Sequence, residues 1–250
     1  MRIAVAGGTG WTGRLVVDAL RAGGDEPVVL ARSAGVDLTT GGGLDAMLAG
    51  VEAVVDVTNV TTTRAAASVA FFESVTSTLL AAEQRAGVGH HVALSIVGTD
   101  RVDLGYYQGK RRQEELVLGA GTGTVLRATQ FHEFAAQMLA AKGPLVIAPK
   151  LLCQPVAVAE VAQHLVELAH GEPLGMAPEL AGPEERLWMH DMVKRLARVR
   201  GVRRPVLPVA VPGKVGRQIK GGGLLPTGPG PRGTITFDAW LGQQGGSGRR

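Results

Sequence analysis

Tyr106 and Lys110 lie four residues apart in YYQGKRRQEELVLGA, a segment with helical spacing, so they share one helix face. A phenol, with an ordinary pKa of about 10, is a poor proton donor or acceptor at neutral pH unless a cation lowers it. A lysine one turn away is such a cation. Ser95 closes the strand-like run HVALS, at the sheet edge where open α/β sheets hold their ligands. Its hydroxyl would steady a carbonyl oxygen while the phenol protonates it, and a hydride donor alongside would complete a carbonyl reduction. Two other arrangements stay open. Tyr107 lies three residues from Lys110 and reaches it as well. Equally, the two tyrosines cover the sheet and Lys110 pairs with Glu114.

A place for the hydride donor is written near the first residue, in IAVAGGTGWTGR. Gly7, Gly10 and Gly13 follow a short apolar run and open the amphipathic stretch RLVVDALRA. Glycines between a strand and a helix allow a tight turn and close approach. The helix start offers unpaired N–H groups and a partial positive charge, a site for a cofactor pyrophosphate. An NAD site usually places a carboxylate about 20 residues further on, to accept from the ribose 2′-hydroxyl. Here VVLARS carries Arg32 and Ser33 instead, and Arg14 stands at the start of the first helix. Guanidinium groups suit a 2′-phosphate, so the expected cofactor is NADP(H); as an alternative, both arginines are solvated surface charges. Asp37 either accepts from the adenine amino group or forms a turn. The Lys110 ammonium can also bind the cofactor's ribose hydroxyls.

These residues need a scaffold. RIAVA, PVVLA, GVDL, AVVDV, HVALS, TVLRA and LVIAP read as strands. Between them, RLVVDALRA, GLDAMLAG, RAAASVAFFESVTSTLLAAEQRAG, YYQGKRRQEELVLGA and FHEFAAQMLAAKG read as helices. Alternation of this kind predicts an α/β fold, a doubly wound parallel Rossmann sheet over residues 1–150. After Pro149 the elements shorten and prolines and glycines multiply. VAVAEVAQHLVELAHG and HDMVKRLARVRG read as helices, PVLPVAVP as an extended piece, and TFDAWLGQ as a last helix begun by a Thr cap. Residues 151–242 are expected to lack a core of their own, to pack on the sheet and to cover the substrate cleft. Residues 243–250 read as a mobile tail.

Composition narrows the partners. The chain has 250 residues, 45% of them hydrophobic and 19% charged, which suits a globular protein. No run of about 20 uncharged apolar residues is evident, so neither a membrane span nor a secretory leader is expected. The net charge of +4 raises nucleic acid as a partner. Yet the basic residues are dispersed apart from short runs such as KRLARVRGVRR, and 4% aromatics leave little to stack bases on. The expected partner is therefore a small-molecule substrate, with no nucleic acid and no membrane. Cys153 is the single cysteine, which points to packing, no metal cluster and a reducing cytoplasm. His90 and His91 point to opposite faces of a strand and share no ligand. Gln130, Phe131, His132 and Glu133 follow the sixth strand, where they either wall the substrate pocket or start a helix core.

Taken in order, GGTGWTGR, VDVTNV, LSIVGTDR, YYQGKRRQEELV and LRATQFHEFA resemble the NmrA-like branch of the atypical short-chain dehydrogenase/reductases. The likeness spans nearly the whole chain. It implies a Rossmann fold, NADP(H), and a C-terminal portion closing over the substrate. By this resemblance Gly7, Thr9, Gly10, Trp11, Thr12 and Gly13 line the pyrophosphate loop, and Arg14 and Arg32 take the 2′-phosphate. Asp37 and Leu38 meet the adenine, and Thr58 and Asn59 lie beside the cofactor ribose. Ser95, Tyr106 and Lys110 fall on the Ser, Tyr and Lys of the reductases. The branch contains reductases and also dinucleotide-binding redox sensors or regulators without turnover; the Tyr-x-x-x-Lys pattern favours an enzyme, expected to be an NADPH-dependent reductase of a carbonyl or conjugated double bond in a small organic molecule. Gly109, inside that helix turn, departs from a well-ordered site or admits the cofactor closely. The sequence leaves the substrate and the oligomeric state open.

Overall fold

The computed structural model describes residues 1–183 and 185–244. In chain order the elements are β1 (Arg2–Ala6), α1 (Trp11–Ala22), β2 (Glu26–Leu30), a 3-10 turn (Arg32–Ala34), α2 (Leu44–Met47) and β3 (Ala53–Asp56). Next come α3 (Ala65–Ala86), β4 (His90–Ile96), α4 (Gly105–Gly119), β5 (Gly123–Ala128) and α5 (Phe134–Ala140). The C-terminal part adds β6 (Val146–Pro149), β7 (Leu152–Cys153), α6 (Val158–Ala169), β8 (Gly175–Met176), β9 (Leu187–Trp188), α7 (Met189–Val199), β10 (Val206–Val209), α8 (Gly213–Lys220) and α9 (Phe237–Gln244).

Six strands form one parallel sheet in the order β2-β1-β3-β4-β5-β8. Strands such as Ile3–Ala6 and Ala53–Asp56 are buried on both faces, which is why they read as continuous apolar runs. One face packs Val16, Val17 and Leu20 of α1 with Val161 and Leu165 of α6. The other packs Leu44 of α2 with Val75 and Leu79 of α3. The order reverses beside β1, so the loops after β1 and β3 part there and open a crevice.

Four expectations are corrected. GVDL is no strand: the 3-10 turn ends at Gly35 with φ 78°, and the Asp37 carboxylate accepts from Thr39 N–H and Oγ1–H. Local turn chemistry overrides a run that short. LVIAP forms β6, which pairs with β10 in a separate parallel ribbon instead of joining the sheet. The boundary at 150 does not divide the molecule, because α6 and β8 return to the sheet and its core from beyond it. Finally, much of the C-terminal part packs not on the sheet but on α5 and β6, where Leu139, Val146, Met192, Leu196, Phe237 and Trp240 cluster. Within the expected tail, residues 243 and 244 belong to α9, while 245–250 lie outside the described residues.

Among the described residues one helix, α3, is long and apolar enough by length and composition to cross a membrane, although Glu73 interrupts its apolar run. Its buried stripe of Ser68, Phe72, Val75, Thr76, Leu79, Ala82 and Glu83 has helical spacing. That stripe meets the sheet and α4. At the α3–α4 crossing Gly109 finds its reason: a Cβ there would stand 2.2 Å from Ser68 Oγ and 2.6 Å from the Ser68 backbone. The missing side chain admits the neighbouring helix, not a cofactor.

Behind the crevice runs a buried polar chain. His91 Nδ1 meets Glu83 at 2.9 Å, and its Nε2 lies 3.9 Å from Asp56 Oδ2, with His91 and Asp56 wholly buried. Burial opposes a charge on His91, but Glu83 and Asp56 outweigh it and hold its pKa above the ordinary value. His91→Ala would strand two buried carboxylates, and removing one partner of such a cluster costs about 3–5 kcal/mol. The expected result is a loss of that order in urea unfolding at about pH 6. A histidine with a raised folded-state pKa stabilises fully below its unfolded pKa and loses that contribution as pH rises through the folded value. The difference between wild type and variant should therefore shrink at alkaline pH.

Candidate active site

A cavity of about 580 Å3 opens at the crevice. At one end are Gly7, Thr9, Gly10, Trp11, Thr12 and Gly13. The helix start has no capping side chain at Gly10 and no acid in its first turn, so its leading N–H groups are free for an anion. Gly7 adopts φ 80°. A Cβ on Gly13 would stand 2.2 Å from Gly7 O, so only glycine lets the loop close on the helix. The middle of the cavity is walled by Val57, Thr58 and Asn59 after β3. At the far end Ser95, Tyr106, Tyr107 and Lys110 meet Thr129, Gln130, Phe131, Phe134 and Gln137.

All three residues expected to do chemistry reach this cavity, but their bonds differ from the expectation. Tyr106 Oη donates to Asn59 Oδ1 at 2.7 Å. Burial and the neighbouring Tyr107 raise its pKa rather than lower it, so the phenol is held protonated. Lys110 Nζ does not reach Tyr106. It donates to Leu94 O at 2.9 Å and Gln113 Oε1 at 2.8 Å, and lies 4.4 Å from the centre of the Phe72 ring. Burial pulls its pKa down to about 8, against the opposing pull of Asp56 and Glu114. The alternative Lys110–Glu114 pair is not made either. Glu114 takes Arg127 instead, at 2.6 and 2.9 Å, together with the Ser95 hydroxyl at 2.5 Å. The single Ser95 proton is thus spent inside the protein, and only its lone pairs remain for a substrate.

The residues expected around the adenine lie outside the cavity wall. Arg14 is exposed and donates from Nε to Thr9 O. Arg32 and Ser33 are exposed on the turn after β2. Among the described residues neither arginine has a carboxylate within ion-pair distance. Asp37 is spent on its turn with Thr39, and Leu38 packs against the core on the α3 side of the sheet.

Sequence reasoning left Gln130 and Phe131 undecided and missed Thr129, Phe134 and Gln137. The first two wall the cavity. The side-chain oxygens of Thr58 and Thr129 and both polar atoms of Gln130 are buried without a partner, and all three residues face the cavity. Orphaned buried polar atoms call for a ligand or water. Adjacent His132 and Glu133 turn the other way. His132 Nε2 bonds Ile235 O, and Glu133 accepts from Trp240 Nε1 and Val158 N, so the pair ties α9 to the sheet. Cys153 is buried, its pKa pushed up to about 12 by burial. Among the described residues no group of three His, Cys, Asp or Glu side chains could hold a metal ion.

The architecture has clear relatives. DesIV, a dTDP-glucose 4,6-dehydratase from Streptomyces venezuelae solved with NAD bound, aligns with a TM-score of 0.75 over 100% of this chain and 98% of that one, at 20% identity. A short-chain dehydrogenase/reductase superfamily protein from Agrobacterium tumefaciens with bound NAD gives 0.71 over 98% and 96%, at 18% identity. This is a Rossmann fold. The UDP-N-acetylglucosamine 4-epimerase of Bacillus cereus aligns at 0.67 over 84% of this chain and 85% of its own, with 18% identity. No protein-family model matches the chain and no curated protein matches it in sequence.

Proposed function

We propose that this protein is an NADP(H)-dependent oxidoreductase of the atypical short-chain dehydrogenase/reductase type. Its substrate is a small organic molecule with a carbonyl or conjugated double bond. One observation carries the reading: a single cavity joins an uncapped, glycine-lined helix start to Tyr106 and Lys110, past unpartnered buried atoms of Thr58, Thr129 and Gln130. These residues fit a dinucleotide. The loop of Gly7, Gly10 and Gly13 would hold the pyrophosphate, Thr58 and Asn59 the ribose side, and Thr129 with Gln130 the carboxamide. The bound nicotinamide would supply the hydride. Asn59 aims the Tyr106 hydroxyl, which holds its proton until a substrate oxygen takes it. Lys110 has spent two of its three N–H groups on Leu94 O and Gln113 and keeps one for a ribose hydroxyl. Phe131 and Phe134, stacked with centroids 5.4 Å apart, wall off water on the substrate side. A cytoplasmic setting and a small-molecule partner accord with this reading.

DesIV and the Agrobacterium tumefaciens protein were solved with NAD, and the choice of NADP(H) rests on Arg32 standing after β2 where a carboxylate would read the 2′-hydroxyl. A charge-assisted contact to phosphate is worth about 1.5–3 kcal/mol. Arg32→Asp should therefore weaken NADPH binding by roughly one to two orders of magnitude, read by fluorescence titration. NADH binding should change less; equal losses for both would refute the 2′-phosphate assignment. A second reading, a sensor of the NmrA-like type that binds dinucleotide without turnover, is favoured by the Ser95 proton being committed to Glu114. NADPH oxidation across aldehydes, ketones, quinones and enones separates the two.

A further inference from the structure

The polar chain behind the cavity ends on Lys110, and its direction is fixed. Asp56 Oδ2 accepts from Gln113 Nε2 at 2.8 Å, and Gln113 Oε1 accepts from Lys110 Nζ at 2.8 Å. The amide can face only one way, with its NH2 toward the carboxylate and its oxygen toward the ammonium. The other carboxylate oxygen accepts from Thr58 N at 2.8 Å, on the segment that walls the cavity. All of these groups are buried, Asp56 and Gln113 completely.

We infer that Asp56 and Gln113 are positioning residues: the buried carboxylate, acting through the oriented amide, keeps Lys110 charged and aimed at the cavity. The groups facing the amine support this. From α3 comes the neutral Phe72 ring, from β4 the Leu94 carbonyl, and from α4 itself Gln113 and Glu114. Glu114 is already neutralised by Arg127. From β3 comes Asp56, with His91 and Glu83 behind it. A carboxylate relayed by a polarised amide is the arrangement that offsets the cost of burying an ammonium. The consequence for cofactor binding rests on the reading of Lys110 given above.

The test is a swap that keeps every atom count close. Asp56→Asn turns the chain around: the new amide presents NH2 to Gln113, which must flip and turn its own NH2 toward Lys110. Adding Gln113→Glu restores the order, with the carboxylate moved one link nearer the amine. The titration midpoint of Lys110 can be followed by 15N ammonium NMR on the cofactor-free protein, assigned with Lys110→Met. Asp56→Asn should lower the midpoint by at least about one unit from near 8, since a neighbouring opposite charge is worth about 1–3 units. The double variant should recover it. NADPH affinity of Asp56→Asn should then fall about fivefold at pH 8 and recover at pH 6, as the charged fraction does. An unchanged midpoint, or a loss the double variant does not repair, overturns the positioning role. A midpoint that moves and recovers while NADPH affinity stays flat upholds the charge coupling and overturns the cofactor role of Lys110 instead.

Discussion

Tyr106→Phe should leave NADPH affinity and stability almost unchanged while cutting kcat by about 10²–10⁴ with any substrate whose carbonyl is reduced. The ring keeps its edge-on contact with Phe72, centroids 5.9 Å apart, and only the hydroxyl that Asn59 aims is lost. Tyr107→Phe is the comparison. Its ring is buried beside Val102, Ile219 and Leu224, and it should cost far less. Single-turnover kinetics with each variant would check the ranking. If Tyr106→Phe keeps nearly full kcat on a ketone or aldehyde, the proton comes from water or another group and the catalytic assignment fails.

Gly13→Ala should be the most damaging substitution at the other end of the cavity. Its Cβ would fall 2.2 Å from Gly7 O and 2.6 Å from Gly8 Cα. Both contacts are with backbone, so the loop itself must move. Overpacking of this kind costs about 1–3 kcal/mol of stability, and the displaced loop should weaken NADPH binding by roughly two orders of magnitude or more. Gly10→Ala meets Gly7 O at 3.1 Å, a tight contact that a small shift relieves, and should lose much less. Fluorescence titration beside urea unfolding of the two variants would reveal the order; equal effects would show that close packing at Gly13 does not set the grip of the loop.

The glycine loop and the strand–helix alternation were legible in the sequence because each rests on local chemistry: spacing, periodicity and turn residues. The failures share a cause as well. GVDL has a strand-like pattern, but whether four residues join a sheet depends on the turn that Asp37 builds next to them. LVIAP is a strand whose partner, β10, lies some sixty residues away. The bonds of Ser95 and Lys110 were invisible for a different reason. Helical spacing places Lys110 and Glu114 on one face, yet tertiary neighbours drew them apart, Arg127 from β5 taking Glu114 and the Leu94 carbonyl of β4 taking Lys110. His132 and Glu133 carry the same lesson, being polar residues at a strand end that serve cohesion while the adjacent Gln130 and Phe131 face the ligand space.

The C-terminal cluster, packed apart from the two faces of the sheet, bears on how such a fold can change. Phe134 leans on that cluster and also walls the cavity, whereas the glycine loop is braced by α1 and the sheet. Substitutions at Phe134 are thus absorbed by a different set of neighbours from those that hold the loop. Mutations that share no neighbours add almost independently. The molecule is accordingly free to reshape the wall at Phe134 through one half of its interior while the glycine loop is inherited intact through the other.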